Sequence, residues 1–415
     1  MNMNSKKFTR FLALALGCLT VFTGCAGANP NAETSNSGSQ ASESSNEPIR
    51  IGALGALSGA SAILGKQQQQ GIELALKEIN ADGGILGRQV EVFFRDDEAD
   101  PTKCKTAAEE LIDKVGVDFI IGPTNSTPAA AAIPYLQESK IINLMCIASS
   151  DSIIDAEKFP YAFRIMIPNG LQAQALVMNA KERGYEKVAL VGDNSALGVD
   201  GIAAMEKWCN EYGIEPVATV TYKAEDADMT PVAQALKDAG ADCGLFWTLG
   251  ADGAKIVRAI ERIGYTENMN IYGYTGMVMP NFKELAGPGA DRCSSLSVAE
   301  WAVEAGGELD GRFLELYNKI IAEYGEYGVG KRDTNPSTVA SGYDCMMMLK
   351  WAIEKAGSTD SDAVKEVIET YGSEYVPFFG SSYKFSAEDH DGYLASDVVP
   401  VAIGEMQNGD LYIKN

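Results

Sequence analysis

GALSGASAILGKQQQQGIELALKEINADGGILGRQVEVFFRDDEADP, residues 55–101, switches periodicity twice and fixes what kind of fold the chain can adopt. A short apolar strand, IRIGAL, leads into it, and residues 64–80 then set Ile72, Leu76 and Ile79 on one helical face. QVEVFFR returns to strand, and TKCKTAAEELIDKV is again a helix. Between the last two lie four carboxylates in five positions, Asp96, Asp97, Glu98 and Asp100. So dense a cluster reads as a metal cage, as an acid/base pair or as the polar end of a strand. Asp100 followed by Pro101 favours the last, because an aspartate caps a helix N-terminus and proline suits its first turn.

The alternation continues outward from this block. VDFIIG is a buried strand, TPAAAAIPYLQES a helix and KIINLM a strand. A helix over 172–183 then precedes KVALVG, a helix over 199–212, PVATVTY, a helix over 231–239, CGLFWTLG, a helix over 252–263 and NIYGY. Strand and helix in steady succession mean parallel sheets covered on both faces, and there are too many units for one sheet. The expected fold is therefore α/β, with two doubly wound lobes. The last third changes rhythm, with helices over 310–324, 337–356 and 362–371 and strand-like pieces at 383–385, 398–403 and 411–413.

The N-terminus carries Lys6, Lys7 and Arg10 before FLALALGCLTVFTGC, which reads as an export signal over residues 1–24. Small residues before Cys25 suit a lipoprotein signal peptidase, although Phe22 stands where leucine is usual. An ordinary cleaved signal or an uncleaved anchor are the alternatives, the latter short of the roughly 20 apolar residues that span a bilayer. Residues 25–48 are small and polar and should form a flexible tether. Removing residues 1–24 takes three positive charges and no acid, so the net charge moves from −23 to −26. So acidic a chain is a poor partner for nucleic acid or an anionic lipid surface, and membrane contact is expected through the lipid alone. The single histidine, His390, is remote in sequence from all six cysteines of the folded part, none in a CxxC pair. That argues against zinc and against a Cys/His nucleophile, and neither a phosphate-binding loop nor a spaced nucleotide fingerprint is present. Ser381 and Lys384 fit S-x-x-K only as a short isolated match. No enzyme, cofactor or metal is expected, and the disulfide pairing of those cysteines stays open.

The block 55–101 resembles the opening of type I periplasmic solute-binding proteins of the branched-chain amino acid class. The likeness rests on Ser58-Gly59, Gly71, Glu73-Leu74-Ala75, Glu78-Ile79-Asn80, Gly83-Gly84, Gly87-Arg88, Asp96-Asp97 and Asp100-Pro101. It continues through IGPTNS, YAFRIMIPNGLQ, KVALVGDNSALG and FKELAG. The resemblance implies a monomer of two hinged lobes that closes over a small solute, an amino acid or related carboxylate, and passes it to ABC permease and ATPase subunits. A ligand-sensing receptor module is the competing reading. Residues 49–168 plus 300–374 would form one lobe, and 169–299 plus 375–415 the other. By the same resemblance Asp96 and Asp97 shape the lobe rather than hold ligand.

Ligands of open α/β sheets sit beyond the carboxyl ends of strands, against helix N-termini. The loop at 122–128 is so placed, with Thr127 as a candidate N-cap and Asn125 and Ser126 beside it; a plain helix cap is the alternative. By resemblance Ser126 binds a ligand carboxylate, Ala148 offers its backbone, and Ser150 takes the place of a threonine that binds the head group. Leu64 and Leu197 stand where amino acid binders often carry aromatics, and Trp247 or Thr248 matches a tyrosine position of the second lobe. Thr275 stands where those binders place an acid for the ligand ammonium. Without that acid, branched-chain amino acids should bind poorly unless a nearby carboxylate such as Asp193 substitutes.

Overall fold

The computed structural model describes residues 47–415 apart from 225, 278–280, 305–306, 310, 327–335, 394–400, 408–409 and 414–415. The expected signal segment, Cys25 and the tether up to residue 46 lie outside the described residues. Among the described residues no helix is long and apolar enough to cross a membrane.

Two sheets organise the chain. The first contains β1 (Ile49–Gly55), β2 (Val90–Asp96), β3 (Phe119–Ile121), β4 (Ile142–Met145) and β5 (Ala162–Arg164), all parallel in the order β2-β1-β3-β4-β5. Helices α1 (Ala62–Ala81), α2 (Pro101–Glu110) and α3 (Ser126–Glu138) connect its strands. The second contains β6 (Val188–Asp193), β7 (Ala218–Tyr222), β8 (Cys243–Trp247), β9 (Asn270–Gly273) and β10 (Cys293–Val298), parallel in the order β7-β6-β8-β9-β10. Beyond β10 this sheet gains two antiparallel strands, β11 (Val401–Gln407) and β12 (Asp410–Ile413). Its helices are α4 (Asn169–Glu182), α5 (Ala196–Tyr212), α6 (Thr230–Asp238), α7 (Gly250–Arg262) and α8 (Phe282–Ala286). The fold is thus two α/β lobes with parallel sheets. Strands β5 and β10 were not expected from the sequence, and 383–385 is not a strand.

After β10 the chain returns to the first lobe as α9 (Gly311–Tyr324), α10 (Pro336–Ala356) and α11 (Ser361–Tyr371). Their apolar faces, including Leu316, Ile320, Val339, Leu349 and Ile368, share one core with Ile51, Ile72, Phe119 and Leu144. The join of α1 to α10 explains one glycine of the opening block. A Cβ on Gly71 would lie 2.0 Å from the carbonyl oxygen of Val339, so only glycine lets these backbones approach. The turn GGILGR is likewise set by backbone conformation, with φ of +84° at Gly84 and +75° at Gly87. Tyr375, Phe379, Tyr383, Phe385 and Tyr393 also bury in this first core. The segment 375–393, expected in the second lobe, therefore packs on the first, because its aromatic residues cover α10 and β5; only β11 and β12 join the second sheet.

The four acids of the opening block are accounted for locally. Asp100 accepts from the backbone N–H groups of Thr102 and Lys103 with Pro101 in the first turn. Asp96 accepts from the N–H groups of Leu57, Ser58 and Glu98, and so ties the loop after β1 to the end of β2. Asp97 is buried and accepts from Ala99 N–H at 2.8 Å, and Glu98 pairs with Lys103 in solvent. The six cysteines are free and buried.

Candidate ligand-binding cavity

The carboxyl ends of both parallel sheets point at one cavity of about 770 Å3. In each lobe it lies where the strand order reverses, between β1 and β3 in one and between β6 and β8 in the other. The first lobe contributes Leu64 from the start of α1, Asn125 and Ser126 from the start of α3, and Ala148 from the loop after β4. The second contributes Leu197 from α5, Leu249 after β8, and Tyr274 and Thr275 after β9. Six of the nine expected ligand contacts, Leu64, Asn125, Ser126, Ala148, Leu197 and Thr275, therefore meet around one space.

The other three do not line it. Thr127 is not the cap of α3: Asn125 holds that position, and the Thr127 hydroxyl instead accepts from Ala196 N–H of the second lobe at 3.3 Å. Ser150 is fully buried, and its hydroxyl donates to the Asp200 carboxylate of α5. Asp200 also accepts from Ser152 N–H, so one acid of the second lobe holds the loop that the resemblance assigned to ligand. Trp247 is buried against α5, where a Cβ on Gly201 would strike its ring at 2.2 Å, and it stacks on Tyr274 with centroids 4.8 Å apart. The residue after β8 that reaches the cavity is Leu249, two positions further on, because β8 ends at Trp247 and the chain must turn before α7. Sequence reasoning missed it, and also missed Asp200, whose partner lies 50 residues away.

Polar groups make up a large share of the lining, and those nearest the strand ends are engaged with one another. Ser126 Oγ accepts from Ser150 N–H at 3.2 Å, which leaves its own hydrogen to donate. Asn125 donates to Ser61 Oγ at 3.1 Å, while its carbonyl oxygen is buried without a partner. Thr275 uses both its N–H (3.2 Å) and its hydroxyl (2.9 Å) on the Gln172 carbonyl oxygen. Asp193, the acid suggested as a substitute, does not line the cavity; its carboxylate accepts from the N–H and hydroxyl of Ser195 at the start of α5. Among the described lining residues Glu308 is the one charged side chain, and it is exposed.

Behind the loop after β4, Arg164 is wholly buried at the end of β5. It grips Asp391 through Nε at 2.6 Å and Nη2 at 2.9 Å, and donates to the Ser150 carbonyl at 2.6 Å. On the far side Asp344 of α10, buried completely, accepts from Tyr375 Oη (2.5 Å), Phe378 N–H (2.9 Å), Phe379 N–H (3.1 Å) and the Tyr383 hydroxyl. Burial raises its carboxyl pKa, and these four donors oppose the rise. Phe379 lines the cavity, so Asp344 holds a piece of its wall.

Comparisons with known proteins agree with this architecture. A curated protein of Brucella suis biovar 1, Leu/Ile/Val-binding protein homolog 6, is 26% identical over 370 residues, 88% of this chain and 90% of its own. The crystal structure of a periplasmic binding protein type 1 from Bordetella pertussis Tohama I superimposes with a TM-score of 0.79 at 24% identity, covering 89% of this chain and all of that one. A solute-binding protein of an R. palustris ABC transporter, solved with 4-hydroxybenzoate, gives a TM-score of 0.74 at 23% identity over 89% of this chain and 96% of its own. The family model described as periplasmic binding protein matches residues 48–409. With that match spanning nearly the whole of both lobes, the chain belongs to the periplasmic binding protein family, of type I fold, whose members bind solutes and are not enzymes.

Proposed function

We propose that this protein is the extracytoplasmic binding component of an ABC importer, a monomer held to the membrane by lipid on Cys25, that closes its lobes over a small organic carboxylate lacking an ammonium group. One observation carries the reading: the cavity is built jointly by strand-end loops of both lobes, and among the described residues no buried acid lines it. The N-terminus of α3 offers free N–H groups, helix polarity and the Ser126 hydroxyl to a carboxylate. An ammonium group would be stripped of water against Leu64, Leu197 and Leu249 with no buried charge among the described residues to meet it. The Leu/Ile/Val name of the Brucella relative and the 4-hydroxybenzoate of the R. palustris protein thus mark two options, and the lining here supports the second chemistry. Contacts made by one ligand to both lobes stabilise the closed state, and that differential affinity is what a permease reads.

A thermal-shift screen of leucine, isoleucine and valine against benzoate and 4-hydroxybenzoate tests the ligand class, since a ligand bound only by the folded state raises Tm by mass action. Stabilisation by an amine-free acid is expected. Sub-micromolar binding of a branched-chain amino acid refutes it. For the anchor, Cys25→Ala should move the protein from the membrane fraction to the medium or periplasm, and retention in the membrane counts against lipidation.

A further inference from the structure

The cavity exceeds what an amino acid or a simple aromatic acid would fill. Its volume of about 770 Å3 lies high in the range of about 300–1,000 Å3 that encloses drug-sized ligands. The lining has two sources. The strand-end loops supply the groups already placed around a carboxylate. The rest comes from the chain after β10: Trp301, Leu309, Leu314, Tyr317 and Phe379, from the crossing segment, α9 and the loop after α11, beside a polar stretch of Asn318, Ser337, Thr338 and Ser341 from α9 and α10.

Within this second wall Trp301, Leu309, Leu314 and Phe379 form an apolar strip, and its aromatic members are fixed in position. Trp301 spends its indole N–H on the Phe379 carbonyl at 3.1 Å and packs edge-on against Phe313, with centroids 5.8 Å apart. Phe379 is held in turn by its N–H on Asp344. Their polar atoms are therefore used internally, and their rings form surface. Apart from the exposed Glu308, no charged side chain lines the cavity among the described residues, so nothing there would hold a second ionic group. A ligand of amino-acid size would leave water against tryptophan, leucine and phenylalanine, where water finds too few partners.

We infer that the ligand is an extended monocarboxylate whose apolar body, longer than a branched-chain side chain, lies along Trp301, Leu309, Leu314, Tyr317 and Phe379. The inference rests on the carboxylate reading of the Ser126 loop and adds the size and polarity of the rest of the molecule. It makes Leu314 and Phe379 determinants of ligand length.

The test is calorimetric titration of the purified protein with benzoate, 4-phenylbutyrate and 6-phenylhexanoate. Each buried methylene should lower Kd by about fourfold along the series. Binding of benzoate with no gain for the longer acids overturns the inference and leaves the carboxylate reading standing; failure of all three acids overturns both. Leu314→Trp, at a half-buried position, narrows the second wall. It should flatten the difference between 4-phenylbutyrate and 6-phenylhexanoate while melting cooperatively, and an unchanged gradient in a folded variant also overturns the assignment.

Discussion

Replacing Thr275 with glutamate should give this cavity an affinity for leucine that the natural protein lacks. Among the described lining residues an incoming ammonium meets no buried carboxylate, and the Thr275 hydroxyl already serves Gln172 at 2.9 Å. A buried hydrogen-bonded charge pair loses about 2–5 kcal/mol when one partner is missing, and that is the range Thr275→Glu could recover. Thr275 is only half-buried, which favours the lower end. The substitution also costs about 1 kcal/mol for the lost bond to Gln172, whose amide cannot simply turn over because its nitrogen donates to Ile167 carbonyl at 2.8 Å. The net gain is then about 1–4 kcal/mol, or between about fivefold and a thousandfold in Kd for leucine. Titration calorimetry at pH 7 on the natural protein, Thr275→Glu and Thr275→Gln reads it directly. The glutamine variant matches shape without charge, so equal gains in both variants would refute the electrostatic reasoning, as would tight leucine binding by the natural protein.

Three other outcomes follow from the geometry. Asp344→Ala leaves two tyrosine hydroxyls and two backbone N–H groups without their acceptor, and should lower stability by about 3–5 kcal/mol in urea titrations; a loss under 1 kcal/mol would mean the segment at 375–383 is held by packing alone. Burial holds the His390 imidazole below its ordinary value of 6.5, with the hydrogen bond to Glu369 opposing it. The unfolded chain then binds the proton first, so stability attributable to His390 is present above about pH 6.5 and is lost as pH falls through the folded value. The stability gap between the natural protein and His390→Gln should accordingly narrow between pH 7.5 and 5.5, and a constant gap would contradict it. Asp200→Ala removes the acid that bridges α5 to Ser150 and Ser152, and should enlarge the radius of gyration of the ligand-free protein in small-angle scattering, whereas superimposable profiles would show that the bridge does not hold the lobes.

The lobes were legible because parallel strands buried on both faces read as unbroken apolar runs, as in VDFIIG and KVALVG. The two strands that escaped lack that signature. β5 has three residues, one of them Arg164, and β10 carries Ser294 and Ser295 inside the protein, the latter donating to Tyr274 carbonyl at 2.8 Å. Loops at strand ends located the cavity, since sheet topology places them. They could not say whether Trp247 or Leu249 faces it, because that depends on where β8 stops and on Gly201 making room for an indole. Asp200, Asp344 and Arg164 act on partners distant in sequence, and a charged residue in an apolar or helical stretch gives no sign of which partner it meets.

Arg164 has a consequence for the order in which the chain can fold. Its buried guanidinium sits in the first sheet, yet the carboxylate that grips it at two points, Asp391, lies 227 residues further along. Until that residue arrives, the guanidinium has only Asp151, 3.7 Å from Nη2, and lacks the close two-point grip that offsets its burial in the finished lobe. An emerging N-terminal half therefore holds this charge more loosely than the complete chain does. For a binding protein that works outside the cytoplasm, the two-point grip on this charge closes only when nearly the whole chain is in place.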